Sequence, residues 1–539
     1  MKWFSVLFLF CFSSAFCQYF PYSVSAYNLA STGYYLMTPT KSQNNTQYRP
    51  SLNILDSKGN MVFYRIAAQG NFTNFKLQQN GKLTFCNRSK NYVLDSNMSV
   101  KDSIACVNGV STDNHEFIIL PNGHYILLGS ITRTMDLSMY NYFNGQPGST
   151  TASVDGGVIQ ELDENKNLIF EWKTFDHFQF DDVDSTWLSN SQNVDWTHNN
   201  AIEVDSDGNY LLSSRYFNEI TKISKATGEI IWRLGGKRNQ FTFTNDNLKL
   251  LGQHDIRRLP NGNITVFDNG RMGGVPITHP ARAKEYQLDE INKTATLVWS
   301  YSQNPNAASS FTGNIQRLSN GNTVMSFGGL INTTNPLVVL NSAGNKIFEI
   351  TFPDTAYSYR FFNYESLPIN FRRPEITCYN ENGNYYFEAP ASYQSYRWNT
   401  GDTTRRIQIT QQGNYQVFVN FGMGYLGSLV KTVLNMQNPC ESIGITNISG
   451  TAFTYKLFQN YPNPFNPTTR IKFDLVASGF VSLKIYDVMG REVENLVNEN
   501  LKAGSYEVDF NGMNIPSGIY YYKVYTEKYQ ETKKMMLVK

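Results

Sequence analysis

The sequence predicts an all-β protein, and three observations support this fold class. Its 539 residues include 34 Tyr and 36 Phe, and only 17% are charged, which differs from the composition of disordered or helical-repeat chains. A pattern of paired hairpins recurs six times before residue 355. Most copies contain an Asn-Gly or Asp-Gly pair, the strongest short signal for a β-hairpin turn.

Each copy of the repeat contains an earlier and a later hairpin, and therefore four short strands. Units of about 40–50 residues with four strands are typical of propeller blades, because one unit cannot bury its own sheet faces and a ring leaves few open edges. The repeat predicts a six-bladed β-propeller over residues 18–370. The earlier hairpins cover residues 33–37, 77–85, 118–128, 202–212, 256–267 and 315–326, and the later ones cover 52–64, 92–105, 158–172, 220–232, 286–299 and 337–350.

Three tryptophans, Trp172, Trp232 and Trp299, fall at equivalent places late in their units. We interpret them as packing residues between blades, because large aromatic side chains dominate such contacts. The third unit also carries two long inserted segments, residues 131–155 and 175–194. Long loops on one rim often shape a pocket or a lid.

The N-terminal residues predict export. A single Lys2 precedes a short apolar run that ends near Cys17, which is typical of a signal peptide over residues 1–17. The bulky Phe16 argues against lipid attachment at Cys17. No later stretch is long and apolar enough to span a membrane. The net charge of +2 provides no basic field for nucleic acid or an anionic membrane.

Four cysteines remain after the predicted signal: Cys86, Cys106, Cys378 and Cys440. An even number suits an oxidising compartment and allows one disulfide in each of two domains. For Cys86 and Cys106, free buried thiols are an equal alternative.

Residues 371–445 predict a spacer domain. Alternating strands surround the segments 396–401 and 412–417, and the second contains a Gly-x-Tyr corner. This pattern is typical of small immunoglobulin-like β-sandwiches.

Residues 455–539 carry a distinct set of motifs: a proline-rich start at 457–469, Ile485 to Gly490, Ser517 to Tyr522, and a basic end at 533–539. They closely resemble the C-terminal sorting domain of the type IX secretion system. The resemblance implies a β-sandwich that the secretion machinery recognises, and a protein that is secreted or held on the outer-membrane surface of a Gram-negative bacterium.

Three of the six histidines share one phase of the repeat. His115, His198 and His254 each precede the first strand of units three, four and five. If these strands are innermost, their starts ring a central channel and the imidazoles converge. Arg215, in the same unit as His198, could reach the same place. His124, His177 and His279 follow no repeat pattern, and we interpret them as structural.

Three histidines could hold Zn²⁺ with an open fourth position. Arg215 argues against a metal, because a fixed cation repels Zn²⁺ but gives bidentate donors to a tetrahedral anion. An oxyanion therefore fits this set of residues better.

The motifs around these residues resemble the arylsulfotransferase family, which moves sulfuryl groups between phenols without a nucleotide donor. They are Trp196 to Asn200, Ser213 to Arg215, Gln253-His254 and Thr265 to Gly270. The resemblance implies that His254 is transiently sulfurylated, with no cofactor and no metal. It further implies that His115, His198 and Arg215 surround the sulfate oxygens and that Asn200 is a further donor.

Two alternatives to this enzyme stay open: a non-catalytic surface propeller that binds a sulfated ligand, and a metal-dependent hydrolase that uses the three histidines. The sequence leaves unassigned the phenolic sulfate donor, the phenolic acceptor, the oligomeric state and cleavage of the C-terminal domain. It also does not decide whether His115 or His198 is the general acid and base.

Overall fold

A computed structural model describes the chain over residues 21–26, 33–41, 48–142, 145–188, 192–271, 279–303, 308–330, 333–353, 356–433, 436–437, 439–440, 445–449, 454–512 and 515–539. The predicted signal peptide lies outside these residues. The fold is all-β, as predicted. The described residues include one short helix, Thr174–His177, and 3₁₀ turns at Phe180–Asp182, Ser185–Trp187 and Arg215–Phe217. No helix among the described residues has the length and apolar character needed to cross a membrane.

The strands are numbered in chain order. The first are β1 (Ser23–Ala26), β2 (Tyr34–Thr40), β3 (Ser51–Asp56), β4 (Met61–Ile66), β5 (Phe72–Leu77), β6 (Leu83–Asn87), β7 (Lys90–Leu94), β8 (Val100–Ile104), β9 (Ser111–Ile119), β10 (Tyr125–Met135), β11 (Ala152–Leu162), β12 (Leu168–Lys173), β13 (Asn193–Asp195) and β14 (Asn199–Val204). The next are β15 (Tyr210–Ser214), β16 (Glu219–Ile223), β17 (Ile230–Gly235), β18 (Thr242–Thr244), β19 (His254–Arg258), β20 (Ile264–Asp268), β21 (Arg282–Asp289), β22 (Thr294–Tyr301), β23 (Asn314–Arg317), β24 (Thr323–Ser326), β25 (Leu337–Leu340), β26 (Lys346–Thr351) and β27 (Tyr357–Tyr364).

The remaining strands are β28 (Thr377–Glu381), β29 (Asn384–Glu388), β30 (Tyr396–Trp398), β31 (Arg406–Gln408), β32 (Gly413–Tyr415), β33 (Val417–Asn420), β34 (Tyr425–Gly427), β35 (Lys431–Val433), β36 (Ile445–Ser449), β37 (Lys456–Leu457), β38 (Thr468–Leu475), β39 (Gly479–Asp487), β40 (Glu492–Leu501), β41 (Gly504–Asn511), β42 (Gly518–Thr526) and β43 (Gln530–Leu537).

The described chain forms two compact units. The first comprises residues up to Glu375 together with Pro390–Thr404 and Val417–Leu429, and the second comprises Ile376–Ala389, Arg405–Gln416 and Val430–Lys539. The predicted spacer, residues 371–445, thus contributes to both units.

The strands of the first unit form sheets that match the paired hairpins of the repeat. Their orders are β5-β6-β7-β8, β9-β10-β11-β12, β14-β15-β16-β17, β19-β20-β21-β22 and β23-β24-β25-β26, with β27-β2-β3-β4 extended by β34, β33 and β30. One strand from each sheet faces the next in cyclic order: β5 contacts β9, β9 contacts β14, β14 contacts β19, β19 contacts β23, β23 contacts β27, and β27 contacts β5. These inner strands therefore form a closed ring.

The ring closes through strands from both ends of the first unit. β27 pairs with β2, with Tyr364 opposite Tyr34, and β1 pairs with β26 on the last sheet. The inner strand of the first sheet thus arrives from residues 357–364, which the repeat pattern did not assign to any unit. Such pairing satisfies edge strands that would otherwise be open.

The three tryptophans lie against the following sheet in each case. The indole N–H of Trp172 donates to Gly228 O at 2.9 Å, and that of Trp232 donates to Glu290 Oε2 at 2.9 Å. The guanidinium of Arg317 lies 3.9 Å from the ring centre of Trp299.

The two inserted segments pack together beside the third and fourth sheets. β10 and β11 extend as one long hairpin, and β13 pairs in parallel with β11. Side chains of both segments, including Leu137 and Phe180, share a hydrophobic cluster with Trp196 and Phe217. The insertions therefore support the segment that precedes His198.

The second unit contains a small sheet, β28-β29-β31, the pair β32-β35, and two four-stranded sheets, β36-β41-β38-β37 and β40-β39-β42-β43. The last two sheets share one hydrophobic core, to which Ile471, Leu483 and Tyr522 contribute. A disulfide joins Cys378 to Cys440. In the first unit, Cys86 and Cys106 are free thiols.

Candidate active site at the centre of the ring

Three consecutive inner strands bring the predicted histidines together. His115 lies on β9, His198 directly precedes β14, and His254 begins β19. The ring centres of His115 and His198 are 5.0 Å apart, and those of His198 and His254 are 6.5 Å apart. The equivalent phase of the three residues in the repeat thus places them side by side.

Local irregularities aim these side chains. The register shifts between Asn199 and Ala201 on β14 and between His254 and Arg257 on β19. His198 has a φ of 47°, a left-handed conformation uncommon outside glycine and small polar residues. Bulges of this kind re-aim side chains at the ends of strands.

His254 is the most enclosed of the three, at 3% exposed. Its Nδ1 lies 2.7 Å from Asn269 Oδ1 and 3.2 Å from Gly252 O, and its Nε2 accepts a hydrogen bond from Thr312 N at 3.3 Å. Burial lowers the pKa of His254, and the nearby charge of Arg215 lowers it further, to well below the usual value. The imidazole is therefore neutral near pH 7.

His115 and His198 differ from His254 because each has a carboxylate partner. His115 Nδ1 lies 2.6 Å from Asp113 Oδ1, and His198 Nδ1 contacts Asp195. Burial alone would lower the pKa of His115, but the charge and hydrogen bond of Asp113 raise it above the usual value. For His198, burial outweighs Asp195 and the pKa is lowered.

Arg215 is a buried cation that forms no ion pair with a carboxylate in the described part of the chain, although the charge of Asp195 acts on it from a distance. Its side chain is near the histidines, donates to Ser310 O and lies 4.5 Å above the ring of Trp187. The residue is 7% exposed, and its Nε makes no hydrogen bond within the described part of the chain. Burial lowers the pKa of this guanidinium. A buried charge without a counter-ion is costly, which is the electrostatic setting of an anion site.

Asn200 lies in the same region, and its two amide atoms differ, because Nδ2 bonds within the protein whereas the buried Oδ1 has no hydrogen-bond partner among the described residues. Its Nδ2 donates to the backbone oxygen of Gln253 at 2.7 Å, directly before His254. Gln253 in turn donates to Ser214 O and Glu219 O. Asn200 thus supports the backbone that carries His254.

Several neighbours of the histidines were not identified from the sequence. Tyr216 stacks on His198 with ring centres 4.8 Å apart, and Trp187 stacks on Tyr216 at 4.5 Å. The ring centre of Tyr359, on β27, lies 5.9 Å from that of His115. Asp113 and Asp195 stand within three residues of their histidines, so local spacing could have indicated them. Trp187 comes from an insertion and Tyr359 from the closing strand, where no local signal existed, whereas Tyr216 directly follows Arg215 in the turn Arg215–Phe217.

An ionic cluster joins the same inner strands. Glu116 accepts from Arg257 at 2.5 Å, from Arg360 at 2.9 Å and from Lys76 at 2.6 Å, and Arg257 also pairs with Asp255 at 2.6 Å. Burial would raise the pKa of Glu116, but the three cations hold it well below its usual value. Each of these cations has a carboxylate partner, and Arg257 also lies 3.3 Å from Glu203, whereas Arg215 has none among the described residues.

Metal ligation was a further possibility for the histidines. Across the residues that the structure describes, no three His, Cys, Asp or Glu side chains are grouped so as to hold a metal ion.

The ring and its central site define a β-protein of the arylsulfotransferase class. Residues 23–361 match the family model "Arylsulfotransferase (ASST)", and the chain belongs to this family. Residues 459–539 match the "Secretion system C-terminal sorting domain", as predicted. No curated protein matches the chain.

Two solved structures show a distant similarity. A Bacteroides caccae protein of unknown function is 14% identical, with a TM-score of 0.37 over 60% of this chain and 94% of that one. A catalytically inactive virginiamycin B lyase from Staphylococcus aureus with quinupristin is 10% identical, with a TM-score of 0.32 over 62% of this chain and 100% of that one. Neither similarity bears on function.

Proposed function

We propose that this protein is an arylsulfate sulfotransferase that moves a sulfuryl group from a phenolic sulfate ester to a phenolic acceptor through a sulfurylated His254. The observation that carries this proposal is the position of Arg215, a buried cation that has no ion pair with a carboxylate of the described residues and lies beside three imidazoles. A sulfate ester supplies the missing negative charge, and a guanidinium offers bidentate donors to its oxygens.

The reaction proceeds in two displacements. The Nε2 lone pair of His254 attacks sulfur, the ester S–O bond breaks, and its electron pair leaves on the phenol oxygen, which takes a proton from His115. Arg215 donates to the non-bridging oxygens and stabilises the charge that develops on them. His198 lies beside them and donates when its imidazole is protonated on both nitrogens. In the second half-reaction, His115 removes the proton of the acceptor phenol, and the phenol oxygen displaces His254 from sulfur.

His115 is assigned as the acid because of its carboxylate partner. Asp113 favours the protonated imidazole and raises its pKa, whereas the pKa of His198 is lowered. At neutral pH, a proton is therefore more available at His115.

We further propose that the ring of inner strands is a six-bladed β-propeller over residues 18–370, followed by an immunoglobulin-like spacer over 371–445 and the sorting domain over 455–539. With the signal peptide at 1–17, this arrangement directs the enzyme to the type IX secretion machinery. It acts in the medium or at the outer-membrane surface.

The test is a sulfuryl-transfer assay with 4-nitrophenyl sulfate as donor and phenol as acceptor. We expect nitrophenol release that depends on the acceptor and is unchanged by a chelator. Loss of activity with chelator alone would instead indicate a metal-dependent hydrolase. Binding of aryl sulfate without any turnover would indicate a ligand-binding propeller.

Replacing His115 by Asn is expected to remove proton donation to the leaving phenol. Donor cleavage should fall by about 10²–10⁴-fold for poor leaving groups and much less for nitrophenol, which leaves without protonation. In the native enzyme, this half-reaction should slow as pH rises through the elevated pKa of His115. In the His115→Asn variant, the rate should no longer fall as the pH rises. The measurement is the pH profile of phenol release, and an equal loss with every leaving group would reject the assignment.

A further inference from the structure

The three histidines have different kinds of partner at Nδ1. Asp113 and Asp195 are carboxylates, whereas the partner of His254 is the side-chain amide of Asn269. A carboxylate favours an imidazolium, but an amide oxygen accepts a hydrogen bond without adding charge. His254 therefore differs from His115 and His198 in having an uncharged partner at Nδ1.

The orientation of the Asn269 amide is fixed by its other contacts. Its Nδ2 donates to Ser309 Oγ and to Thr312 O, both at 2.9 Å. The Ser309 hydroxyl donates its own hydrogen to the carbonyl of Gly328, so its oxygen can only accept from Asn269. Asn269 is fully buried. Its Oδ1 must consequently face His254 and accept a hydrogen bond from the Nδ1–H.

The remaining contacts of the His254 ring also agree with a proton on Nδ1. Gly252 O is a second acceptor near Nδ1, and the Thr312 N–H is a donor that faces Nε2. His254 thus carries its proton on Nδ1 and presents the Nε2 lone pair.

We infer that Asn269 is a positioning residue that holds His254 as the neutral Nδ1–H tautomer with Nε2 available as nucleophile. The catalytic meaning of this inference rests on the proposed function, but the tautomer itself does not. Attack through Nε2 replaces the 3.3 Å hydrogen bond from the Thr312 N–H by the N–S bond, while Nδ1 keeps its proton and its hydrogen bond to Asn269.

The tautomer is tested by long-range ¹H–¹⁵N correlation spectra of histidine-labelled protein, with His254 assigned by its loss in a His254→Gln variant. We expect protonated Nδ1 and unprotonated Nε2 in the native protein, and a mixture of tautomers in Asn269→Ala. A native Nε2–H form, or spectra unchanged in the variant, would overturn the inference.

The kinetic test compares Asn269→Ala with Asn269→Asp. We expect the alanine variant to lose on the order of 10²-fold in donor cleavage, as for other groups that orient a reactive histidine. In the aspartate variant, the new carboxylate favours the imidazolium, so the acid limb of the pH profile should move upward by about 1–3 pH units. A profile without this movement would contradict the inference.

Asn314 provides a matched control. It is equally buried and bonds through both amide atoms, to the N–H and carbonyl of Phe361, but does not contact a histidine. Asn314→Ala should lower the melting temperature and leave the pH profile and the His254 spectrum unchanged. If the native protein transfers no sulfuryl group, the proposed function fails while the spectra still decide the tautomer.

Discussion

Sulfuryl transfer is expected to fall by at least about 10⁴-fold when His254 is replaced by Ala, because removal of a covalent nucleophile closes the two-step route. The remaining groups still bind the sulfate ester, so its affinity should change little. The measurement is the rate of nitrophenol release with phenol as acceptor. A second measurement is the mass of the native protein after donor alone, where we expect one added sulfuryl group that the variant lacks.

His124→Ala is the matched control for this experiment. His124 contacts Glu161 at 2.9 Å and has no contact with the three central histidines. Its removal should leave transfer within about twofold of native. If His254→Ala keeps a tenth or more of the native rate, the sulfurylated-histidine route is wrong.

The second large effect is expected at Arg215. Replacement by Met removes the guanidinium that faces the sulfate oxygens and should lower kcat/KM by about 10²–10³-fold. Arg215→Lys should recover only part of this loss, because an ammonium is a point charge and cannot form the bidentate contact. The measurement is kcat/KM for 4-nitrophenyl sulfate.

The loss of activity in Arg215→Met should not be accompanied by a loss of stability. Arg215 has no carboxylate partner among the described residues, so Arg215→Met should leave the melting temperature unchanged or raise it. Arg360 is paired with Glu116 at 2.9 Å, and Arg360→Met breaks a buried pair at a cost of about 3–5 kcal/mol. A large loss of stability in Arg215→Met would show that the charge is structural and would contradict its assignment to substrate.

The hairpins of the first unit could be predicted because their signals are local. An Asn-Gly or Asp-Gly pair marks the turn of most of the earlier hairpins, and the strands on either side lie where the pattern predicts them in β23-β24. β5 begins earlier than the predicted start at Leu77, because it covers Phe72–Leu77. β27 could not be assigned in the same way. It pairs with β2, which lies near the other end of the first unit in the sequence. Neither strand has a sequence pattern that identifies the other as its partner.

In the candidate site too, residues could be predicted where the sequence signal is local and could not where their role depends on distant segments. The histidines could be found because they share a phase of the repeat, and Asp113 lies two residues from His115. Asn269 directly follows β20, the strand that pairs with β19, but its orientation depends on Ser309 and Thr312 farther along the chain. The role of Asn200 as a support for Gln253 O also requires coordinates.

The closing strand has a consequence for when the enzyme becomes active. β27 brings Tyr359 beside His115 and Arg360 to Glu116, so the centre is complete only after the last part of the first unit has joined β2. Pairings between such distant segments form late and slowly, because the cost of closing a long loop precedes the gain from contacts. In a chain that has not yet formed β27, the inner strands that carry the three histidines are therefore part of an incomplete ring. If the proposed function holds, we expect activity only after β27 has paired with β2.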